Sequence, residues 1–167
     1  MKQTELQQFL SDIYADRLAL VQRHEASARE VGHYDFNNTY QYVINREETH
    51  LSWIRAALEE LGAPLPGPAA GLGTPQAPKS KKAEASVYRD ILSEDARGLG
   101  AFVEKWRPRV ATLTHARHRT MLGVVLGEAL EHKRLFDQAA SGFEDLLGRR
   151  TGGVPRQGAV LPTRWME

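Results

Sequence analysis

Apolar residues recur along this chain at the three- and four-residue spacing of amphipathic α-helices, in four stretches separated by turn-forming residues. The pattern predicts four helices, which cover residues 4–31, Asn37 or Asn38 to Leu61, 84–107 and 114–147. Gly62 and Gly148 directly follow the second and fourth stretches, where glycine commonly ends a helix. No stretch alternates in the way that indicates a β-strand, so we expect an all-α fold.

The connection between the second and third predicted helices is unusually long. Residues 62–83 contain most of the prolines and many of the glycines, so no regular element is expected there. A connection of this length can run the length of a bundle and start the next helix at the same end. The sequence therefore predicts a four-helix bundle over 1–148, with a crossover loop at 62–83 and an irregular tail at 149–167.

Composition narrows the function without naming it. Lys and Arg number 22 against 21 Asp and Glu, so the net charge of +1 gives no field that favours nucleic acid or an anionic membrane. Cysteine is absent, which excludes disulfides and thiolate metal sites. The N-terminal stretch lacks the apolar core of a signal peptide, and no span is apolar enough for a membrane helix. We therefore expect a cytoplasmic protein.

Charged and imidazole side chains fall on faces that should be buried. Glu47 and His50 are three residues apart in the second helix, and Glu128 and His132 are four apart in the fourth. Residues at these spacings share one face of a helix, so each pair can direct a carboxylate and an imidazole to one point. Asp95 is a further acidic residue on a predicted core face, that of the third helix.

The stretch EETHLSWIRAALEELGA, which begins at Glu47, resembles the second helix of the rubrerythrin and ferritin-like superfamily. The resemblance covers about residues 4–147 and implies a ferritin-like four-helix bundle with a dinuclear iron or manganese centre for redox or metal-handling chemistry. It places Glu47 and His50 at the ligand positions of helix two. It implies Glu128 and His132 as ligands from helix four, and Asp95 rather than Glu94 from helix three. From helix one it implies Asp16, His24, Glu25 or no ligand.

Two departures from that pattern support an alternative. Ala129, not Glu, stands three residues before His132. No Glu occupies a clear core position in helix one, where Arg17 lies near the apolar face and would pair with a carboxylate. The alternative is a ferritin-like bundle without a metal, acting as a structural or interaction module. The amphipathic faces also permit a homodimer.

Overall fold

The computed structural model describes residues 3–73, 75 and 88–148, and within them the chain forms four α-helices and no β-strand. The helices are α1 (Gln3–Glu30), α2 (Tyr34–Glu60), α3 (Arg89–Ala111) and α4 (Ala116–Ala140). The predicted all-α four-helix bundle is thereby confirmed. Residues 76–87 and the predicted tail at 149–167 lie outside the described residues.

The predicted apolar faces meet in one core. Each helix contributes large side chains that are almost completely removed from solvent, among them Leu10, Ile13, Tyr40, Phe36, Ile54, Leu58, Leu92, Leu99, Trp106, Leu122 and Phe136. Burial of such side chains contributes about 1.5–3 kcal/mol each before entropy is counted. The core is the main source of stability, and it surrounds the polar groups at the centre.

Contacts between helices fix their directions. Asp12 and Asp16 in the first half of α1 face Arg109 and Lys105 in the second half of α3, at 3.8 and 2.5 Å. The two helices are therefore antiparallel. The α1–α2 pair is also antiparallel, because the Gln7 side chain donates to the carbonyl oxygen of Leu61 at 2.7 Å.

The relation of α2 to α4 completes the arrangement. Arg117 at the start of α4 pairs with Glu60 at the end of α2, at 2.9 Å. These helices are antiparallel as well, so α1 and α4 point one way and α2 and α3 the other.

The connection after α2 runs alongside α1 at residues 61–73. The Ala69 N–H donates to the carbonyl oxygen of Ala15 at 2.9 Å, and farther along Arg23 donates to the carbonyl oxygen of Gly73. This part of the connection runs from the N-terminal end of α1 towards its C-terminal end. The remainder up to Tyr88 is described only at Pro75.

Two helix ends are built in the same way, and one of them was not predicted. After α2, Gly62 (φ 69°) donates to Glu59, and Ala63 donates to Leu58, which is a Schellman motif. Gly62 was predicted as this stop. After α4, Gly142 (φ 90°) makes the equivalent turn, so the predicted continuation of helix four to residue 147 was wrong.

The start of α2 also differs from the prediction. The helix begins at Tyr34 after His33, not after Asn37 or Asn38. Asn37 instead donates its side-chain N–H to the carbonyl oxygens of Ala28 and Val31, at 2.7 and 3.1 Å. It therefore satisfies carbonyl groups at the end of α1 rather than capping α2.

The predicted end of helix three at residue 107 was wrong, because α3 continues through Pro108 to Ala111. None of the helices in the described part of the chain combines the length and apolar character needed to cross a membrane.

Candidate functional site

The structure brings four of the five predicted ligands together at the centre of the bundle. Glu47 and His50 come from α2, and Glu128 and His132 come from α4. His50 Nε2 lies 3.0 Å from Glu128 Oε2, and His132 Nδ1 lies 3.9 Å from Glu47 Oε1. The four-residue spacing on α4 thus presents both side chains to α2.

Arg17 of α1 occupies the middle of this group. Its guanidinium is completely buried, with Nη2 3.0 Å from His50 Nδ1 and Nη1 3.3 Å from Glu47 Oε1. The guanidinium carbon also lies 5.3 Å from the ring centre of Phe102 on α3. Helix one therefore contributes a permanent cation at the point where the resemblance implies a carboxylate ligand.

The three candidate metal ligands of helix one lie in different surroundings. His24 is fully buried and its Nδ1 lies 2.7 Å from Glu47 Oε2. Asp16 accepts a hydrogen bond from the Trp106 indole at 2.7 Å. Glu25 lies on the surface, 3.9 Å from Arg29. Of the three, only His24 contacts the central group.

Glu128 marks the solvent side of the cluster. Arg46 of α2 donates to both of its carboxylate oxygens, at 2.9 and 2.6 Å. This is the two-pronged geometry that makes arginine–carboxylate pairs strong. Hydrogen bonding from Arg46 is the main reason why the pKa of Glu128 is lowered. The carboxylate is thus held ionised between Arg46 and His50.

The hydrogen bonds fix the proton on His50. Arginine has only donors, so Arg17 must donate to Nδ1 of His50. The ring proton then sits on Nε2 and is donated to Glu128. Burial, reinforced by the positive charge of Arg17, lowers the pKa of His50 to about 4. His50 is therefore neutral at pH 7, with both nitrogens engaged.

Glu47 is ionised in spite of its burial. Burial by itself would raise the pKa of its carboxyl, but the charges of His24 and Arg17 outweigh that effect and lower it strongly. Glu47 Oε1, Arg17 Nη1 and His132 Nδ1 have no aligned hydrogen bond. The contacts of Arg17 and His132 with Glu47 Oε1 are thus not well-directed hydrogen bonds.

Asp95, the fifth predicted ligand, belongs to a separate cluster. It accepts hydrogen bonds from Arg23 at 2.8 Å and from Tyr40 at 2.5 Å, and Arg23 also donates to Glu94 at 2.7 Å. Burial and the Asp95 charge raise the pKa of Tyr40 well above its usual value, so the hydroxyl stays protonated as the donor. The carboxylate of Asp95 is engaged by these two groups.

The central residues do not fit a dinuclear metal centre as they stand. Such a centre needs carboxylates around two cations and imidazole lone pairs free to bind them. Here Arg17 places a cation beside Glu47, and both nitrogens of His50 are engaged. Within the described residues, donor atoms of three potential metal ligands converge to within 4.8 Å elsewhere, at His33, Asp35 and Glu144.

A pocket lies beside the cluster on its solvent side. Its volume is about 540 Å³, and Arg46, Glu128 and His132 form part of its wall. Tyr42 and Leu135 supply apolar surface. The pocket gives solvent a way to Glu128, while Glu47 remains enclosed.

Sequence reasoning identified the polar groups but not their pairing. The sequence places Arg17 near the apolar face of helix one and offers His24 as one candidate ligand there, but nothing in it specifies that both contact Glu47. Arg46 was missed, although it stands four residues before His50 and therefore shares its face of α2. Comparison of the chain with known protein families, curated proteins and solved structures gives no match.

Proposed function

We propose that this chain is a ferritin-like bundle in which a buried arginine takes the place of a dinuclear metal centre, and that it acts as a structural or interaction module. The observation that carries the proposal is the position of Arg17. Its guanidinium lies 3.3 Å from Glu47 and 3.0 Å from His50, with both partners buried. A fixed cation there disfavours metal and neutralises the carboxylate that a metal would need.

The helix directions support the ferritin-like part of the proposal. Because α2 and α3 point the same way, the chain between them has to return along the bundle, as a long crossover does. The contacts of Ala69 and Gly73 with α1 have the direction that such a crossover requires. These contacts favour the predicted crossover loop at 62–83.

The experiment is a count of metal per chain. Protein is produced in medium supplemented with iron or manganese, and the wild type is compared with Glu47→Gln by elemental analysis, with circular dichroism as a check on folding. We expect no difference in metal content between the two proteins. Metal that is present in the wild type and lost in both Glu47→Gln and His50→Ala would overturn the proposal.

A gain-of-site variant sharpens this test. Arg17→Glu replaces the cation with a carboxylate at the point between Glu47 and His50, and Arg17→Met is the matched apolar control. We expect the melting temperature of Arg17→Glu to rise on addition of Mn²⁺, because the metal offsets repulsion between the two carboxylates. The melting temperatures of the wild type and Arg17→Met should respond equally to Mn²⁺.

A dinuclear iron or manganese centre with redox activity is the second candidate. It is favoured by the convergence of Glu47, His50, Glu128 and His132 at one point. It requires Arg17 and Arg46 to move away when metal enters. A crystal structure grown with Mn²⁺ would distinguish the two candidates, because the arginine–carboxylate contacts would be replaced by metal bonds of about 2.0–2.2 Å.

The proposed homodimer is tested separately. Leu130 of α4 is 38% exposed, and added Cβ atoms at Gly123 and Gly127, on the same face, would meet nothing. If a second copy packs closely at this face, the wild type should be a dimer in analytical ultracentrifugation. The variant Leu130→Glu should be a monomer in the same measurement. A monomeric wild type would remove the dimer from the proposal.

A further inference from the structure

A group of potential metal ligands lies at the end of the bundle where α1 turns into α2. His33 immediately precedes α2, Asp35 lies in its first turn, and Glu144 follows α4. Each residue offers one ligand atom, and the three atoms lie within 4.8 Å of one another. The three ligands come from two separate parts of the chain, so the tertiary fold brings them together.

The geometry of two of the ligands already suits a bound ion. His33 Nε2 lies 3.5 Å from Glu144 Oε1. Ligands about 2.0–2.2 Å from a tetrahedrally bound zinc ion are separated by about 3.3–3.5 Å. The His33 ring packs against Phe36 with its centre 4.2 Å away, which limits its rotation.

The early end of α4 creates this arrangement. The chain leaves the helix through Gly142, whose φ of 90° only glycine adopts readily. Two residues later it presents Glu144 to His33. Had helix four continued to residue 147, Glu144 would have stayed on the helical path.

We propose that His33, Asp35 and Glu144 bind a divalent transition-metal ion of the zinc class. One imidazole nitrogen and two carboxylate oxygens match the mixed donors that zinc accepts, whereas magnesium and calcium take oxygen ligands. Two carboxylates also neutralise the charge of the ion and outweigh the positive end of the α2 dipole. The side chain of Glu144 is 43% exposed, so solvent reaches the site and can complete the coordination shell.

Such an ion would tie the start of α2 to the segment after α4. The inference is independent of the proposed function, which concerns the centre of the bundle. An alternative use of the same residues is an ion pair between protonated His33 and Glu144, with Asp35 stabilising the helix N-terminus. The alternative predicts no metal affinity.

The test is a calorimetric titration of chelator-treated protein with Zn²⁺ at pH 7. We expect one ion per chain at this site. Loss of a residue that only supports a metal ligand costs about 10- to 100-fold in affinity, so we expect His33→Ala and Glu144→Gln to lower zinc affinity by about 100-fold or more. Mg²⁺ at the same concentration should give no binding heat.

Two controls locate the ion. His115→Ala removes an exposed histidine next to α4, and Glu131→Gln removes a carboxylate of α4 that is 63% exposed; both variants should bind zinc like the wild type. The visible absorption of bound Co²⁺ should disappear only in the His33 and Glu144 variants. Zinc affinity that is undetectable in the wild type, or unchanged in Glu144→Gln, would overturn the proposal. Glu144 is partly exposed, and circular dichroism of Glu144→Gln checks that the variant is folded.

Discussion

Two arginines of α1 each hold a carboxylate from another helix, in different surroundings. Arg17 and Glu47 are both completely buried, and their closest approach of 3.3 Å is not an aligned hydrogen bond. Arg23 is slightly exposed and donates to Asp95 at 2.8 Å while it also reaches Glu94. The central pair is therefore the more enclosed and the less well hydrogen-bonded of the two.

The comparison shows that two quantities must be distinguished: the stability that an intact ion pair contributes, and the stability that is lost when one partner is removed. A fully buried pair gains little overall, because removing two charges from water costs much of what their attraction contributes. Removal of one partner is expensive, because the other charge stays buried without compensation. At the Arg23 pair, solvent and Glu94 remain available to the arginine. The central pair should therefore respond more strongly to mutation, although its geometry is poorer.

Glu47→Gln should have the largest effect. The variant leaves Arg17 as an uncompensated charge in the core, and we expect the free energy of unfolding to fall by about 3–5 kcal/mol. Urea denaturation monitored by circular dichroism measures the change. In the double variant Arg17→Met/Glu47→Gln the loss should be smaller than in Glu47→Gln alone, because the Arg17 guanidinium no longer lies in the core without its carboxylate partner. A loss below about 1 kcal/mol in Glu47→Gln would contradict this account.

The second largest effect is expected from low pH, which should reduce the free energy of unfolding through the central cluster. The folded-state pKa of His50 is about 4, below its ordinary value of 6.5. Between pH 6.5 and 4 the unfolded chain therefore binds a proton that the folded chain does not, and stability falls as pH falls, by at most about 1.4 kcal/mol per pH unit. The lowered pKa of Glu47 acts in the same direction: its contribution is present above the unfolded pKa of about 4.3 and is lost below it.

The measurement is the free energy of unfolding between pH 7 and 4. His50→Gln should reduce the slope above pH 4. Equal slopes in the wild type and His50→Gln would show that His50 is not the titrating group.

Asp95→Asn should cost less than Glu47→Gln. It weakens a charge-assisted hydrogen bond from Arg23, for which a loss of about 1.5–3 kcal/mol is typical, and Arg23 keeps its contact with Glu94. Thermal and urea unfolding of the two variants in parallel give the comparison. If Asp95→Asn and Glu47→Gln lowered the free energy of unfolding equally, the difference in burial between the two ion pairs would not affect their response to mutation.

Glu94→Gln should have the smallest effect. The side chain of Glu94 is 52% exposed, and its ion pair with Arg23 is screened by water. We expect a change in the free energy of unfolding of less than about 1 kcal/mol, which decreases further at high salt. A larger loss would show that Arg23 depends on both carboxylates, and the contrast with the central pair would then narrow.

Most of the fold could be predicted from the sequence. The four helices and their buried faces follow from the spacing of apolar residues, and Gly62 follows from the requirement for a positive φ at a helix end. The predicted end of helix four was wrong because the apolar pattern continues to Leu147. Ser141 and Gly142 mark the true end, but they interrupt that pattern only briefly. Helical spacing placed Glu47 with His50, and Glu128 with His132, on one face of each helix, whereas the meeting of the two pairs depends on the packing of α2 against α4.

The sequence by itself determined that charged and imidazole groups lie in the core of an all-α bundle, because local periodicity decides which face of a helix is buried. Only the tertiary structure decided which groups neutralise one another. Arg17 reaches Glu47, thirty positions away in the chain, and Glu144 reaches His33 across the end of the bundle. Such contacts depend on the relative placement of whole helices, and no local pattern encodes that placement.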